Sequence, residues 1–133
     1  MSFLLDTDIC SAHLRQTAGV VTSKLLQHSG RLHVSVITAG ELYTWAMRAK
    51  ASPKRLIALG DFFADVTLLE ITPEVARRFG QVRAGLLDAG SPCPDLDLLI
   101  AATALVHNLT LVTHNLQHFL KVPGLQVDDW LAP

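Results

Sequence analysis

The chain has 133 residues, of which half are hydrophobic and 17% are charged. This size and composition predict one compact globular domain and exclude intrinsic disorder. No apolar run approaches the roughly 18 residues needed to cross a bilayer, and the N-terminal residues lack the basic and apolar regions of a signal peptide. We therefore expect a cytoplasmic protein that does not enter a membrane. Two cysteines, Cys10 and Cys93, are too few for a disulfide framework and predict small buried thiols.

The net charge of −1 is low for a protein that acts on nucleic acid, but its distribution is uneven. Five of the 12 acidic residues fall in segments that we expect to meet at one site: Asp6, Asp8, Glu41, Asp95 and Asp97. The remaining seven stand against 11 Lys and Arg, a balance of +4. This pattern fits an acidic pocket for divalent cations, framed by basic residues that tolerate phosphate. An ordinary mixed surface is the alternative.

Short β-like runs alternate with longer helical patterns along the chain. In chain order the patterns predict a strand at 3–5, a helical stretch over 8–28 that breaks near Gly19, a strand at 32–35, a helix over 38–50, a helix opened by Ser52-Pro53, a strand at 66–69, a helix from Thr72-Pro73 to Gly90, a buried helix over 96–106, and strands at 110–113 and 125–127. This alternation predicts a single α/β domain over residues 1–133, with a small parallel sheet of four to five strands flanked by helices on both faces.

Several polar residues follow the predicted strands directly. Asp6 ends the first strand, Glu41 lies early in the helix after the second, and Asp97 opens the buried helix. Thr113 and Asn115 follow the fourth strand. Because ligands of open α/β sheets bind beyond the carboxyl ends of the strands, these residues are candidates for one site.

Helix capping is the structural alternative for most of these acids. Asp8 is the predicted N-cap of the first helix, and Asp95 that of the buried helix. Thr38 and Glu41 have the spacing of a capping box, in which the glutamate reaches back to the backbone amide of the N-cap residue. Asp97 then falls in the first helical turn, where the helix dipole keeps a carboxylate ionised. Asp6 is left without a capping role, which favours a functional one.

The donor chemistry favours a hard cation. Carboxylates without His or Cys partners suit Mg²⁺ or Mn²⁺ rather than zinc. The histidines show no metal-site spacing, and His107, His114 and His118 are interpreted as surface or loop residues. Neither a nucleophile elbow nor a glycine-rich phosphate loop is present.

Six segments taken together resemble the PIN-domain family, and within it the VapC-type toxins. They are 5–10 (LDTDIC), 35–42 (SVITAGEL), 80–84 (GQVRA), 97–102 (DLLIAA), 111–119 (LVTHNLQHF) and 122–130 (VPGLQVDDW). The resemblance spans almost the whole chain and implies a PIN-like fold that binds Mg²⁺ or Mn²⁺ and cleaves RNA. It assigns the metal to Asp6, Glu41 and Asp97.

The resemblance also bears on the neighbouring positions. Many family members carry an aspartate where this chain has Asn115. The amide is still expected in the catalytic set, where it can supply a neutral oxygen ligand or hold a metal-bound water, but it brings no charge, and one tightly held ion is expected. Asp8 and Asp95 become supporting or capping residues. Thr7 and Thr113 are expected to orient water or phosphate at the rim of the site.

For the cell, the resemblance implies the toxin of a toxin–antitoxin pair. Its expected partners are a small VapB-type antitoxin and a second copy of the chain as a homodimer. The segments 80–84 and 122–130 look like those of toxins that cut initiator tRNA in its anticodon loop; single-stranded messenger or ribosomal RNA is the competing substrate. Surface arginines and lysines are candidates for the RNA track: Arg15, Arg48, Lys50 and Arg83.

Two other functions compete. Asp6-Thr7-Asp8 also resembles the opening motif of haloacid-dehalogenase-type phosphatases, with Asp6 as nucleophile and Asp8 as general acid, but that family needs a later lysine and an acid pair that closes a strand. Here the later acids follow Pro94 and open a helix. A non-catalytic module that only binds RNA or a protein is the third possibility, although a pure binder has no need of the three acids.

Overall fold

The computed structural model describes residues 1–132 and has twelve elements. In chain order they are β1 (Phe3–Leu5), α1 (Thr7–Leu14), α2 (Gly19–Gln27), β2 (Leu32–Ser35), α3 (Val36–Met47), α4 (Lys54–Ala64), β3 (Thr67–Leu69), α5 (Pro73–Asp88), α6 (Asp95–His107), β4 (Thr110–Val112), α7 (Leu116–Phe119) and β5 (Val127–Asp128). No helix in this part of the chain is long and apolar enough to cross a membrane.

The five strands form one sheet in the order β3-β2-β1-β4-β5, and every neighbouring pair is parallel. The parallel arrangement agrees with the prediction, because each strand is separated from the next by helical sequence. The central strand β1 is fully apolar and buried. Strand β2 lies on one side of β1 and β4 on the other, and both run parallel to it. The carboxyl ends of β1, β2 and β4 therefore lie side by side.

Two apolar layers cover the sheet. On one face, α1 to α4 pack over a core that includes Leu5, Ile9 and Phe62. On the other face, α5 and α6 pack over Leu4 and Ile100. Successive residues of β1 therefore point to opposite layers, as the two-residue period of a strand requires. A sheet covered on both faces exposes only its ends, and the site must lie at one of them.

The helix boundaries correct three predicted caps. Asp6, and not Asp8, is the N-cap of α1, with its Oδ1 accepting from Thr7 N at 2.8 Å. Ser35, and not Thr38, caps α3, where its Oγ accepts from Ile37 N at 3.1 Å. Helix α6 begins at Asp95 itself, after Pro94, so the predicted cap at Asp95 is wrong. The physical reason is the same each time: the chain enters the helix as soon as the preceding strand or proline allows.

Other predictions agree more closely. Thr72 caps α5, its Oγ1 accepting from Val75 N at 3.2 Å, and Gly90 ends that helix region with a φ of 69°. Both cysteines are free and buried, as expected. The short helix α7 was not predicted, and its residues lie close to the candidate acids.

Candidate active site

Asp6 occupies the centre of the carboxyl edge of the sheet. It follows β1 directly and is only 5% exposed. Its Oδ2 accepts a hydrogen bond from Thr113 Oγ1 at 2.8 Å, across 107 positions of sequence. Burial raises the pKa of Asp6 to about 7, and the nearby carboxylates of Asp8 and Asp97 contribute to the rise. An acid held this way gains from any positive charge placed beside it.

Glu41 reaches the same edge from α3. Because α3 begins at Val36, Glu41 lies in its second turn and has no part in a capping box. Its Oε1 instead accepts a hydrogen bond from Thr7 Oγ1 at 2.6 Å. The Thr7 hydroxyl also lies 3.1 Å from Thr38 Oγ1, and a hydroxyl has a single hydrogen, so Thr38 is the donor in that pair. The correction of the cap removes the structural alternative for Glu41.

Asp97 lies in the first turn of α6 and contacts a histidine for which the sequence predicts no role in the site. His118 Nδ1 is 2.5 Å from Asp97 Oδ2. The same nitrogen is 2.7 Å from Asn115 Nδ2. His118 is partly exposed, as expected, but it also contacts one of the candidate acids, which the sequence does not predict. The available signal was the three-residue spacing from Asn115 to His118, which places both side chains on one turn of helix.

The remaining predicted residues divide between the site and the surface. Asp8 Oδ2 accepts from His114 N at 3.0 Å, while its Oδ1 is buried without a hydrogen-bond partner among residues 1–132. Burial raises the pKa of Asp8. Asp95 points elsewhere, since its side chain is 66% exposed and pairs with Arg83 Nε at 3.2 Å.

Two threonines align the carboxylates from behind. Thr113 is fully buried, and besides donating to Asp6 it accepts from Asn115 N at 3.0 Å. Thr7 joins Asp6 to Glu41, since its amide contacts the first and its hydroxyl the second. The structure thus places both threonines against the acids, whereas we expected them to face water or phosphate at the rim.

The residues present fit a hard divalent cation in chemistry. Carboxylate and amide side chains stand at the carboxyl edge of the sheet, directly after β1, in α3, in the first turn of α6 and directly before α7. The buried Asp8 Oδ1 is an oxygen without a hydrogen-bond donor in the described chain. Within residues 1–132, no three His, Cys, Asp or Glu side chains stand at ligating distance from a single point. Thr7 and His118 hold Glu41 and Asp97 in their present positions. Binding an ion there requires rotation of these side chains.

Replacing Thr113 with valine tests how the buried acid is held. Thr113→Val should lower the free energy of unfolding by about 1.5–3 kcal/mol, the usual worth of a hydrogen bond to a charged group. The loss should be larger above pH 7 than below it, because a hydroxyl donor favours the ionised form of Asp6, whose pKa is about 7. Urea unfolding at both pH values measures the difference. The matched control is Thr44→Val, on the exposed side of α3; an equal cost for both variants would contradict the assignment.

Comparison with known proteins gives the family. The PIN domain model matches residues 3–125. Ribonuclease VapC2 of Haemophilus influenzae is 30% identical over 131 residues, covering 98% of this chain and 99% of the relative. The tRNA(fMet)-specific endonuclease VapC of Salmonella typhimurium is 29% identical over 130 residues, covering 98% of each. The chain therefore belongs to the PIN-domain family, and within it to the VapC ribonucleases.

A solved structure agrees with this assignment. The crystal structure of DNA-bound VapBC from Salmonella typhimurium contains a chain that is 29% identical and superposes with a TM-score of 0.92, covering 98% of both chains. The predicted fold class and the predicted family are confirmed by these matches.

Proposed function

We propose that this chain is an Mg²⁺- or Mn²⁺-dependent endoribonuclease, with Asp6, Glu41 and Asp97 as ligands of the ion. The observation that carries the proposal is the placement of Asp6: a nearly buried carboxylate at the centre of the sheet edge, with its pKa raised to about 7. Burying a charge without a counter-ion lowers the stability of the fold. A carboxylate in this position therefore indicates a functional use. Perturbed acids of this kind cluster at functional sites.

Each proposed ligand has a neighbour that holds it in the structure. Thr113 and the Thr7 amide fix Asp6, the Thr7 hydroxyl holds Glu41, and His118 contacts Asp97. Glu41 and Asp97 must turn away from these partners to bind the ion. When bound, the ion supplies charge that offsets the developing charge on phosphorus and lowers the pKa of the attacking water. Asn115 contributes a neutral amide beside Asp97 and His118, so the charge of the site comes from the acids alone. One ion is the proposed stoichiometry.

We propose a VapB-type antitoxin as the protein partner. Several structural neighbours are VapBC complexes, including the Salmonella typhimurium complex and one from Rickettsia felis at 25% identity and a TM-score of 0.90. A basic side chain of the partner that pairs with Asp6 or Asp97 would compete with the cation and inhibit by charge compensation. We also propose that the toxin works as a homodimer. Light scattering, which measures the mass of the particle in solution, tests this.

We propose initiator tRNA, cut in the anticodon loop, as the substrate. The Salmonella typhimurium relative is named for tRNA(fMet), and the physical argument concerns shape. A site at the edge of a sheet cannot enter the deep, narrow major groove of an RNA helix, whereas a loop presents splayed bases and an accessible backbone. Single-stranded messenger RNA satisfies the same argument and is the competing substrate.

The experiment that tests this function is cleavage of total bacterial RNA. The chain is incubated with Mg²⁺ or with EDTA, and new 5′-phosphate ends are mapped. We expect ends in the anticodon loop of initiator tRNA, only with the metal. Ends scattered over messenger RNA with that tRNA intact would exclude the proposed substrate, and cleavage undiminished in EDTA would exclude the metal.

Asp6→Asn should change stability and metal response together. Because burial raises the pKa of Asp6 from 3.8 to about 7, the metal-free wild type loses stability as pH rises from 3.8 to about 7, the range in which the unfolded chain has released the proton and the folded chain still holds it. The neutral variant avoids that loss, so its stability relative to wild type in EDTA should increase between pH 5 and pH 8.

The same variant reports on the ion without any activity measurement. Mn²⁺ should raise the unfolding midpoint of the wild type, because a ligand that binds only the folded state stabilises it, and Asp6→Asn should lose that rise. Asp95→Asn is the matched control and should keep it, since Asp95 pairs with Arg83 at the surface. An equal rise in all three proteins would show that Asp6 does not hold the ion.

A further inference from the structure

An open cavity of about 630 Å³ begins at Glu41 and extends along α3. Its lining contains three arginines, one tryptophan and a single carboxylate, that of Glu41: Arg15, Glu41, Thr44, Trp45, Arg48 and Arg55. The cavity therefore shares one wall with the candidate active site. Away from that wall it is basic.

The helix geometry sets the distance from the site. Glu41 and Arg48 are seven residues apart, so both lie on nearly the same face of the helical segment, separated by roughly 10 Å at 1.5 Å per residue. Arg15 comes from the end of α1 on the facing wall. A group bound between Arg15 and Arg48 would thus lie next to the group at the metal site and would be separate from it.

Arg55 and Trp45 form the floor of the cavity. Arg55 Nη1 donates to the Trp45 carbonyl oxygen at 2.9 Å, and its guanidinium carbon lies 4.8 Å from the centre of the indole ring. Arg15 lies 5.9 Å from the same ring. The guanidinium of Arg55 is consequently held in place by the last turn of α3.

The positive charge in this cavity is not neutralised by the protein. Throughout residues 1–132, the ion pairs that the structure contains involve Arg83, His114 and His118, and none involves Arg15, Arg48 or Arg55. Arg15 and Arg48 are exposed. Guanidinium groups that have no carboxylate partner and line one concave surface are the usual arrangement for binding phosphate.

We propose that this cavity binds a backbone phosphate of the RNA next to the phosphate that is cleaved, held by Arg15 and Arg48 with Arg55 as a fixed third charge. The inference rests on the proposed function and names a binding surface for it. It also accounts for RNA binding by a chain whose net charge is −1, because three of the 11 Lys and Arg line one cavity beside the acids. A phosphate there would set the direction in which the strand crosses the metal site.

The test is RNA binding in an Asp97→Asn background, where the probe is not cut. A short fluorescein-labelled single-stranded RNA of mixed sequence is titrated by anisotropy. Arg15→Gln combined with Arg48→Gln should weaken binding about tenfold, and the slope of log Kd against log salt should fall by about 0.7 for each phosphate that the protein no longer neutralises. Arg31→Gln is the matched control, because Arg31 precedes β2 at the opposite edge of the sheet and carries the same charge.

The outcomes separate this inference from the proposed function. Equal affinity and equal salt slope for the double variant and the Arg31→Gln control would overturn the inference, while RNA cleavage by the wild type would leave the ribonuclease in place. If the double variant keeps its RNA affinity but loses affinity for the co-expressed antitoxin, the cavity binds protein and the inference is also overturned. If the wild type cuts no RNA, the proposed function fails whatever the double variant does.

Discussion

Asp97→Asn is expected to lower the rate of RNA cleavage by roughly two to three orders of magnitude. This is the usual loss when one group that stabilises the charge of a transition state is removed. Asp97 is half-buried in the first turn of α6 and stays in contact with His118. Asparagine keeps the shape of the side chain but removes its charge, so the fold should remain intact. Initial rates with a labelled tRNA at saturating Mg²⁺ give the measurement, and circular dichroism checks the fold.

The control is two residues away on the same helix. Asp95→Asn removes an equal charge, but its side chain is 66% exposed and pairs with Arg83. We expect a rate within a few-fold of the wild type, because an exposed ion pair contributes about 0–1 kcal/mol. Equal losses in both variants would mean that the general charge of the surface, and not a ligand at position 97, governs cleavage.

Phe119→Ala is expected to have the largest effect on stability, a loss of about 3–5 kcal/mol. Phe119 is the largest of the fully buried side chains in the described part of the chain. It belongs to the same buried apolar cluster as Leu4, Leu98 and Leu111. The free energy of unfolding of such a domain is about 5–15 kcal/mol in total, so the variant should unfold at a much lower urea concentration.

The consequence for the site gives a second readout. Phe119 ends α7, which begins after Asn115 and contains His118. When the anchor is lost, α7 should loosen and cleavage should fall even where the protein is still folded. Leu120→Ala, at a neighbouring side chain that is 67% exposed, should change neither quantity much. If Phe119→Ala unfolded no earlier than this control, the packing assigned to α7 would be incorrect.

The strands and long helices could be predicted because their signal is local. Short β-prone runs of three or four residues, such as 3–5 and 110–112, stand between helical patterns, and parallel pairing follows from that alternation. The last strand was harder to place: it covers Val127–Asp128, later than expected. Two paired residues leave almost no periodicity to detect.

The caps could not be predicted as well, because neighbouring polar residues compete for the same role. Asp6 and Asp8 are both good caps, as are Ser35 and Thr38, and sequence alone does not say where a strand hands over to a helix. The choice had consequences for function. Moving the start of α3 from Thr38 to Val36 releases Glu41 from capping, and moving the cap to Asp6 gives that residue two roles.

The contacts of His118 lay beyond the sequence for a different reason. Its partner Asp97 is 21 positions away, and α7 has only four residues. Such a contact follows from how α6 and the segment after β4 pack, which no local pattern contains. The family resemblance did supply Asp6, Glu41 and Asp97 as candidates, with Thr7 and Thr113 as supporting residues, but not the histidine that contacts Asp97.

The central position of β1 has a consequence for how the chain folds during its synthesis. Its strand of residues 3–5 pairs with residues 110–112, so the first strand to leave the ribosome must wait for one of the last. Contacts of such long range form slowly, because loop-closure entropy is lost before they are made. The Thr113 hydroxyl that orients Asp6 arrives later still. A fragment that stops directly before β4 therefore contains Asp6, Glu41 and Asp97 but lacks one strand beside β1 and the hydroxyl that orients Asp6, so the site is complete only after β4 has been made.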